Sequence, residues 1–172
     1  MRARTFLLFI FLLFGGLIIY ANWPADPLSA EENIDRIIVE KRDRKMHVLS
    51  NGRILKTYPI ALGFSPEGHK EKEGDGRTPE GVYTIDSKNP YSGYHLNLGI
   101  SYPNAADRER AERVGEDPGG EIKIHGLRNG TGLIGKLHRW KNWTLGCIAV
   151  TNDEIEELYE HVPIGTVIEI RE

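Results

Sequence analysis

The first 21 residues constrain this chain more than any others. The run "TFLLFIFLLFGGLIIYA", Thr5–Ala21, holds 17 residues without a charge, and Arg2 and Arg4 precede it. Such a run belongs to a membrane or signal segment and not to a globular domain. At about 1.5 Å per residue a helix of this length reaches about 25 Å, slightly short of a hydrocarbon core of about 30 Å. Interfacial Trp23 and snorkelling arginines would cover the difference. The positive flank faces the cytoplasm, so the chain beyond Ala21 lies outside it, at the cell envelope. A cleaved secretory signal is the competing reading. Against it stand the long apolar region and bulky Ile19, three residues from the best cut, at Ala21. Both readings export the rest.

The stretch "NWPADPLSAEEN" (22–33) reads as a polar, proline-containing linker. The chain then divides into an anchor or signal segment at 1–22, a linker at 23–34 and a domain at 35–172. About 140 residues build one core and not two. The net charge of −3 is unevenly spread: Ile122–Asn152 contains no Asp or Glu but holds Lys123, Arg128, Lys136, Arg139 and Lys141. That stretch is too dilute and too poor in aromatics for a nucleic-acid footprint, so the better partner is an acidic small ligand or polymer. Cys147 is the only cysteine. Exported chains that use cysteine structurally tend to use pairs. A lone one is an intermolecular link, a buried bystander or a working thiol.

Past the linker the signals are mostly β. "DRIIVEKR" (35–42), "KMHVLS" (45–50) and "RILKTYPIAL" (53–62) read as strands, the last two joined by a hairpin at Asn51-Gly52. Residues 63–81, rich in Gly, Pro and charge, read as a long mobile loop. Strands are expected at 82–87, 94–102, within 117–126 and at 165–170. Helices are expected at 103–114, capped by Asn104, and at 153–162, where Thr151 and Glu154 have capping-box spacing. The sum is a mainly β, sandwich-like domain with short helices, not a doubly wound α/β sheet.

A thiol titrates near ~8.5, so it needs a base or a positive field to act as a nucleophile. His125 ends a strand and is followed by Gly126, which lets the backbone bend; Gly146 precedes Cys147 and leaves room for a carbonyl near backbone N–H donors. The acid-free surroundings favour a thiolate. The alternatives are a cysteine that is a small core hydrophobe and a histidine that is a satisfied polar group. His138 either binds an anion or does nothing. A zinc site of His125, His138 and Cys147 fails on spacing, so no metal or cofactor is expected. His47, His69, His95 and His161 read as structural or solvent-facing, and Trp140 and Trp143 as groove or core residues.

"RTPEGVYTI" (77–85), "IKIHG" (122–126) and "WTLGCIAVTN" (143–152), in that order, resemble the L,D-transpeptidase catalytic domain family over about Asp35–Ile170. The resemblance implies a mostly β fold that works on peptidoglycan stem peptides outside the cytoplasmic membrane. It makes Cys147 the nucleophile, His125 the base and Gly126 the residue whose carbonyl orients the imidazole. The oxyanion donors would be the N–H groups of Cys147 and of Gly146 or another neighbour. The cysteine would attack the bond after the L-centre of diaminopimelate, release D-alanine and pass the acyl group to an amine, which is a second stem or an envelope protein such as a lipoprotein. The family's run Ser-His-Gly-Cys-x-Arg is altered here: Leu145 replaces its histidine and Ala149 its arginine. Substrate binding would then fall to Arg128, Arg139, Trp143 and Thr144, with Lys141 as a further cation. A hydrolytic amidase or L,D-carboxypeptidase would use the same Cys147 and His125, and a non-catalytic wall-binding module would use neither.

Overall fold

The computed structural model describes residues 2–29 and 31–172. Met1 and Ala30 lie outside the described residues, as do the side chains of Arg2 and Arg4 that form the expected positive flank. The strands are β1 (Arg36–Glu40), β2 (Lys45–Ser50), β3 (Arg53–Pro59), β4 (Gly81–Ser92), β5 (His95–Ile100), β6 (Lys123–His125), β7 (Ile148–Ala149) and β8 (Val167–Arg171). The helices are α1 (Arg2–Ala21), α2 (Ala105–Arg113) and α3 (Asn152–His161), with a 3-10 helix at Gly132–Trp140.

The strands form one sheet in the order β3-β2-β1-β8-β4-β5-β6-β7. Asn51 and Gly52 hold φ of 50° and 78°, the left-handed pair that a two-residue hairpin needs, and they join β2 to β3. β4 links the two halves of the sheet. Its residues 81–84 pair with β8 and 85–92 with β5, and register breaks at Ile85/Ser87 and Asn89/Ser92 bend it. The expected mainly β architecture is present, with the sandwich drawn as one continuous sheet whose halves share a long, bulged strand. Both expected caps form reciprocal boxes, Asn104 with Asp107 and Thr151 with Glu154. Through Ile155 and Leu158, both fully buried, α3 joins the core under Ile124 and Ile148.

Two segments depart from expectation. The linker is not a free tether. Leu28 is buried in the core, and Glu157 of α3 accepts its N–H at 2.5 Å, the Lys56 ammonium at 2.7 Å and the Tyr58 hydroxyl at 2.6 Å. Loop 63–81 is equally tied down. Buried Lys70 donates to Asp75 at 2.8 Å, and Asp75 also accepts the N–H groups of Glu71, Lys72 and Arg77. One carboxylate thus gathers four donors, and the loop becomes a wall rather than a mobile connector. A charged, glycine-rich composition reads the same whether its charges face water or each other.

Along α1, the large side chains from Phe6 to Phe14 are exposed. Beyond it, the Asn22 amide donates to Leu133 O at 3.0 Å and Lys136 donates to Trp23 O at 2.7 Å, so the chain leaving the helix rests on the 3-10 helix. Among the described residues no helix is long and apolar enough to cross a membrane, the described side chains of α1 beginning at Thr5.

Candidate active site

β6 and β7 are short and parallel, with Ile124 beside Ile148 and His125 beside Ala149. Alternation buries Ile124 in the core and turns Lys123 and His125 to the other face. Cys147 directly precedes β7, so it stands beside the start of β6. Residues 22 positions apart in the sequence therefore line one open cleft of about 540 Å³, together with Lys70, Tyr94, Asn97 and Trp143.

The cysteine loop is fixed at both ends. Trp143 and Thr144 donate their N–H groups to Leu62 O, and Ala61 and Ala149 exchange backbone bonds at 3.0 and 2.8 Å. Between these points Gly146 has φ of 128°, and a Cβ there would lie 2.6 Å from Arg77 O. The backbone conformation and the close approach both require glycine. Arg77 belongs to the "RTPEG" run, and buried Thr78 of the same run accepts the Gly63 N–H at 3.1 Å. That run is thus the floor on which the cysteine loop is laid.

His125 Nδ1 lies 2.7 Å from Gly126 O. A carbonyl only accepts, so Nδ1 carries the proton and Nε2 is left as the basic nitrogen. Burial pushes the imidazole below its ordinary pKa, the Gly126 carbonyl opposes this, and the Lys123 charge adds to it. The ring is neutral at pH 7 and able to take a proton. Tyr94 and Trp143 enclose it, their ring centroids at 4.7 and 5.7 Å.

Cys147 Sγ is turned to Glu121 O at 3.5 Å, and among the described residues no hydrogen bond joins it to His125. Burial pushes the thiol pKa up, the Lys123 N–H and ammonium pull it down, the Glu121 carboxylate raises it and Lys70 lowers it. The net is upward, so the resting sulfur is protonated. This corrects the expectation of a thiolate favoured by the acid-free stretch. Of that stretch's five cations only Lys123 lines the cleft, and desolvation outweighs it. A neutral thiol that shares one cleft with a neutral imidazole suits base-assisted attack, not a preformed ion pair.

The Cys147 N–H has no acceptor among the described residues and is free to meet an oxyanion. The Gly146 N–H, expected to share that role, already donates to Thr144 Oγ1 at 3.2 Å. Thr144 in turn donates to Cys147 O at 2.7 Å, so its hydroxyl shapes the loop, while Trp143 lines the cleft. The two expected arginines lie elsewhere. Arg128 is on the surface away from the cleft lining, and Arg139 is paired with Glu154, the capping acid of α3. Trp140 is exposed outside the cleft. Sequence reasoning misses Lys70, Tyr94 and Asn97: Lys70 sits in a stretch that reads as a loop, and Asn97 is brought to His125 only by the β5–β6 register.

Comparison with known proteins gives a consistent family. The YkuD model, the L,D-transpeptidase catalytic domain, matches residues 34–170. YafK of Escherichia coli strain K12, an L,D-transpeptidase by name, is 28% identical over 131 residues, covering 74% of this chain and 46% of its own length. YqjB of Bacillus subtilis strain 168, named likewise, is 28% identical over 170 residues, covering 95% of this chain and 82% of its own. Among solved structures, the helical cell shape determining protein Pgp2 of Campylobacter jejuni shares the fold, with a TM-score of 0.61 at 24% identity over 92% of this chain and 55% of that one. Bd1075 of Bdellovibrio bacteriovorus gives 0.56 at 27% identity over 83% and 49%. The chain thus spans about half the length of several of these relatives, and the matched span contains the whole cleft. On the extent of the family match, this chain belongs to the L,D-transpeptidase catalytic domain family of peptidoglycan metabolism.

Proposed function

We propose that the chain is a cysteine L,D-transpeptidase acting on peptidoglycan tetrapeptide stems. One observation carries the reading: a basic His125 Nε2, a thiol and an unpaired Cys147 N–H share one open cleft. His125 takes the thiol proton as Sγ attacks the carbonyl carbon at the L-centre of diaminopimelate, and the Cys147 N–H meets the oxyanion. The C–N bond breaks, His125 returns the proton to the departing amine, and D-alanine leaves a thioester on Cys147. An acceptor amine then attacks the thioester carbonyl, gives its proton to His125 and expels the thiolate, which is reprotonated.

A hydrolytic reading, as an amidase or L,D-carboxypeptidase, differs only in that water arrives second. It is favoured by the place where the family's run has arginine, because Ala149 is fully buried and offers an acceptor nothing. Purified stems supplied with and without a second stem as acceptor separate the two. Cross-linked dimer is the expected product, and trimmed tripeptide alone, even at high acceptor concentration, would move the assignment to hydrolase. Pgp2 is named for determining helical cell shape, and wall remodelling is the corresponding outlet for this chain.

We also propose that α1 inserts in the cytoplasmic membrane and holds the domain on its outer side. A helix exposing Phe6, Leu7, Phe9, Phe11, Leu12 and Phe14 has no stable place in water, and exposed Tyr20 and Trp23 at its end suit the interface. The full chain should stay with membranes through an alkaline carbonate wash. Release into the supernatant at full length would refute insertion.

A further inference from the structure

We propose that His138 is a positioning residue for the Cys147–His125 pair, acting through the indole of Trp143. This rests on the reading of Cys147 and His125 as the reacting groups. His138 lies on the 3-10 helix and is buried at 8% exposure. The Trp143 Nε1–H donates to its Nδ1 at 3.4 Å, with the rings edge-on at 88°. Trp143 in turn meets the edge of His125 and stacks on Tyr94 at 28° and 6.1 Å. The sequence of contacts therefore runs from His138 to the indole and from the indole to the catalytic imidazole.

His138 makes this contact at an evident cost. An indole only donates, so Nδ1 is unprotonated and the neutral ring must carry its proton on Nε2. Nε2 is buried with no partner among the described residues. A buried histidine that merely filled space would be better replaced by an apolar ring, since native structures leave few buried polar atoms unpaired. What the imidazole supplies that phenylalanine cannot is a buried acceptor for the indole N–H. Without it the Trp143 side chain is fixed only by packing, because its backbone bond to Leu62 O leaves the side-chain torsions free. The indole and Tyr94 together keep water off His125, so a looser indole exposes the base and disturbs its aim at the thiol. Around His138 the charged and titratable neighbours are Arg139, whose guanidinium is turned to Glu154, and His125 itself.

Five full-length forms in detergent test this: wild type, His138→Phe, His138→Asn, Trp143→Phe, and His138→Phe in the Trp143→Phe background. Asparagine places Oδ1 where Nδ1 stood and restores an acceptor. The titration of His125 by NMR reads the effect without turnover, and tetrapeptide-stem turnover reads it with. His138→Phe should raise the His125 titration midpoint toward that of an exposed imidazole and lower kcat about tenfold with little change in KM. His138→Asn should recover to within about threefold of wild type, and His138→Phe should add less than about twofold once the indole N–H is gone. An unchanged His125 midpoint, or an equal effect of His138→Phe in both backgrounds, overturns the proposal. Should wild type leave the stem untouched while the midpoint still moves, the substrate assignment falls and the positioning role stands.

Discussion

Replacing His125 by alanine should lower stem turnover about 10³-fold, and Cys147→Ala should abolish it. The expectation follows from the resting protonation states. Burial leaves the Cys147 thiol protonated at neutral pH, so it depends on a base at the moment of attack. Nε2 is the unprotonated nitrogen of His125, which lines that cleft. A positioned base contributes about 10²–10⁴ in rate, roughly 3–5 kcal/mol of barrier. The pH profile separates loss of the base from damage to the site. Wild-type kcat/KM should rise through an apparent pKa below 6.5, as His125 loses its proton, and be bell-shaped, with both limbs belonging to the coupled pair. His125→Ala should lack the neutral plateau and climb toward the raised thiol pKa, since hydroxide must then do the work. Alkylation of Cys147 by iodoacetamide in the resting enzyme should follow that same late climb in both forms, because the thiol is turned to Glu121 O and not to His125. An alanine variant within tenfold of wild type at pH 7 would remove His125 from the reaction.

Most of the sheet was legible because its signals are local. Asn51-Gly52 specifies a hairpin by backbone conformation alone, and the Thr151–Glu154 box fixes the start of α3 within one turn. The expectation for Cys147 and His125 has a different source: a single thiol behind an apolar N-terminal run narrows the choices, and the surrounding motifs resemble a family. What sequence did not show depends on distance in space. Whether Arg139 binds substrate is decided by Glu154, 15 residues on, which claims it as part of a helix cap. Whether Gly146 can offer its N–H is decided by a threonine hydroxyl two residues back, and that requires the loop's actual conformation. The sign of the thiol shift turned on burial, which a count of nearby cations does not contain. The 3-10 helix at Gly132–Trp140 had no counterpart among the expected elements; the chain bends inside it at Gly135, where φ is 49°.

Stability should fall steeply as pH drops below about 6.5, well before carboxylates titrate. His138 is the main cause. Burial, then the Arg139 charge, then His125, hold its pKa down to about 3, against about 6.5 in an unfolded chain. Between those values the unfolded chain binds a proton that the folded one refuses, so stability is full above pH 6.5 and declines until pH passes below 3. Over that window the shift corresponds to roughly 4–5 kcal/mol, against a total of about 5–15 for a typical domain. His69 and His125 are pushed down by burial as well and steepen the same slope. Asp75 enters later. Burial would raise its pKa, but Lys70 and three backbone N–H groups hold it at about 2, so the cleft wall loses this support only as pH falls from about 4 toward 2. Urea unfolding followed by tryptophan fluorescence should therefore show midpoints dropping between about pH 6 and 4, and His138→Phe should flatten that drop. Parallel curves for the two forms would mean that the imidazole reaches water, and its proton, without unfolding the domain.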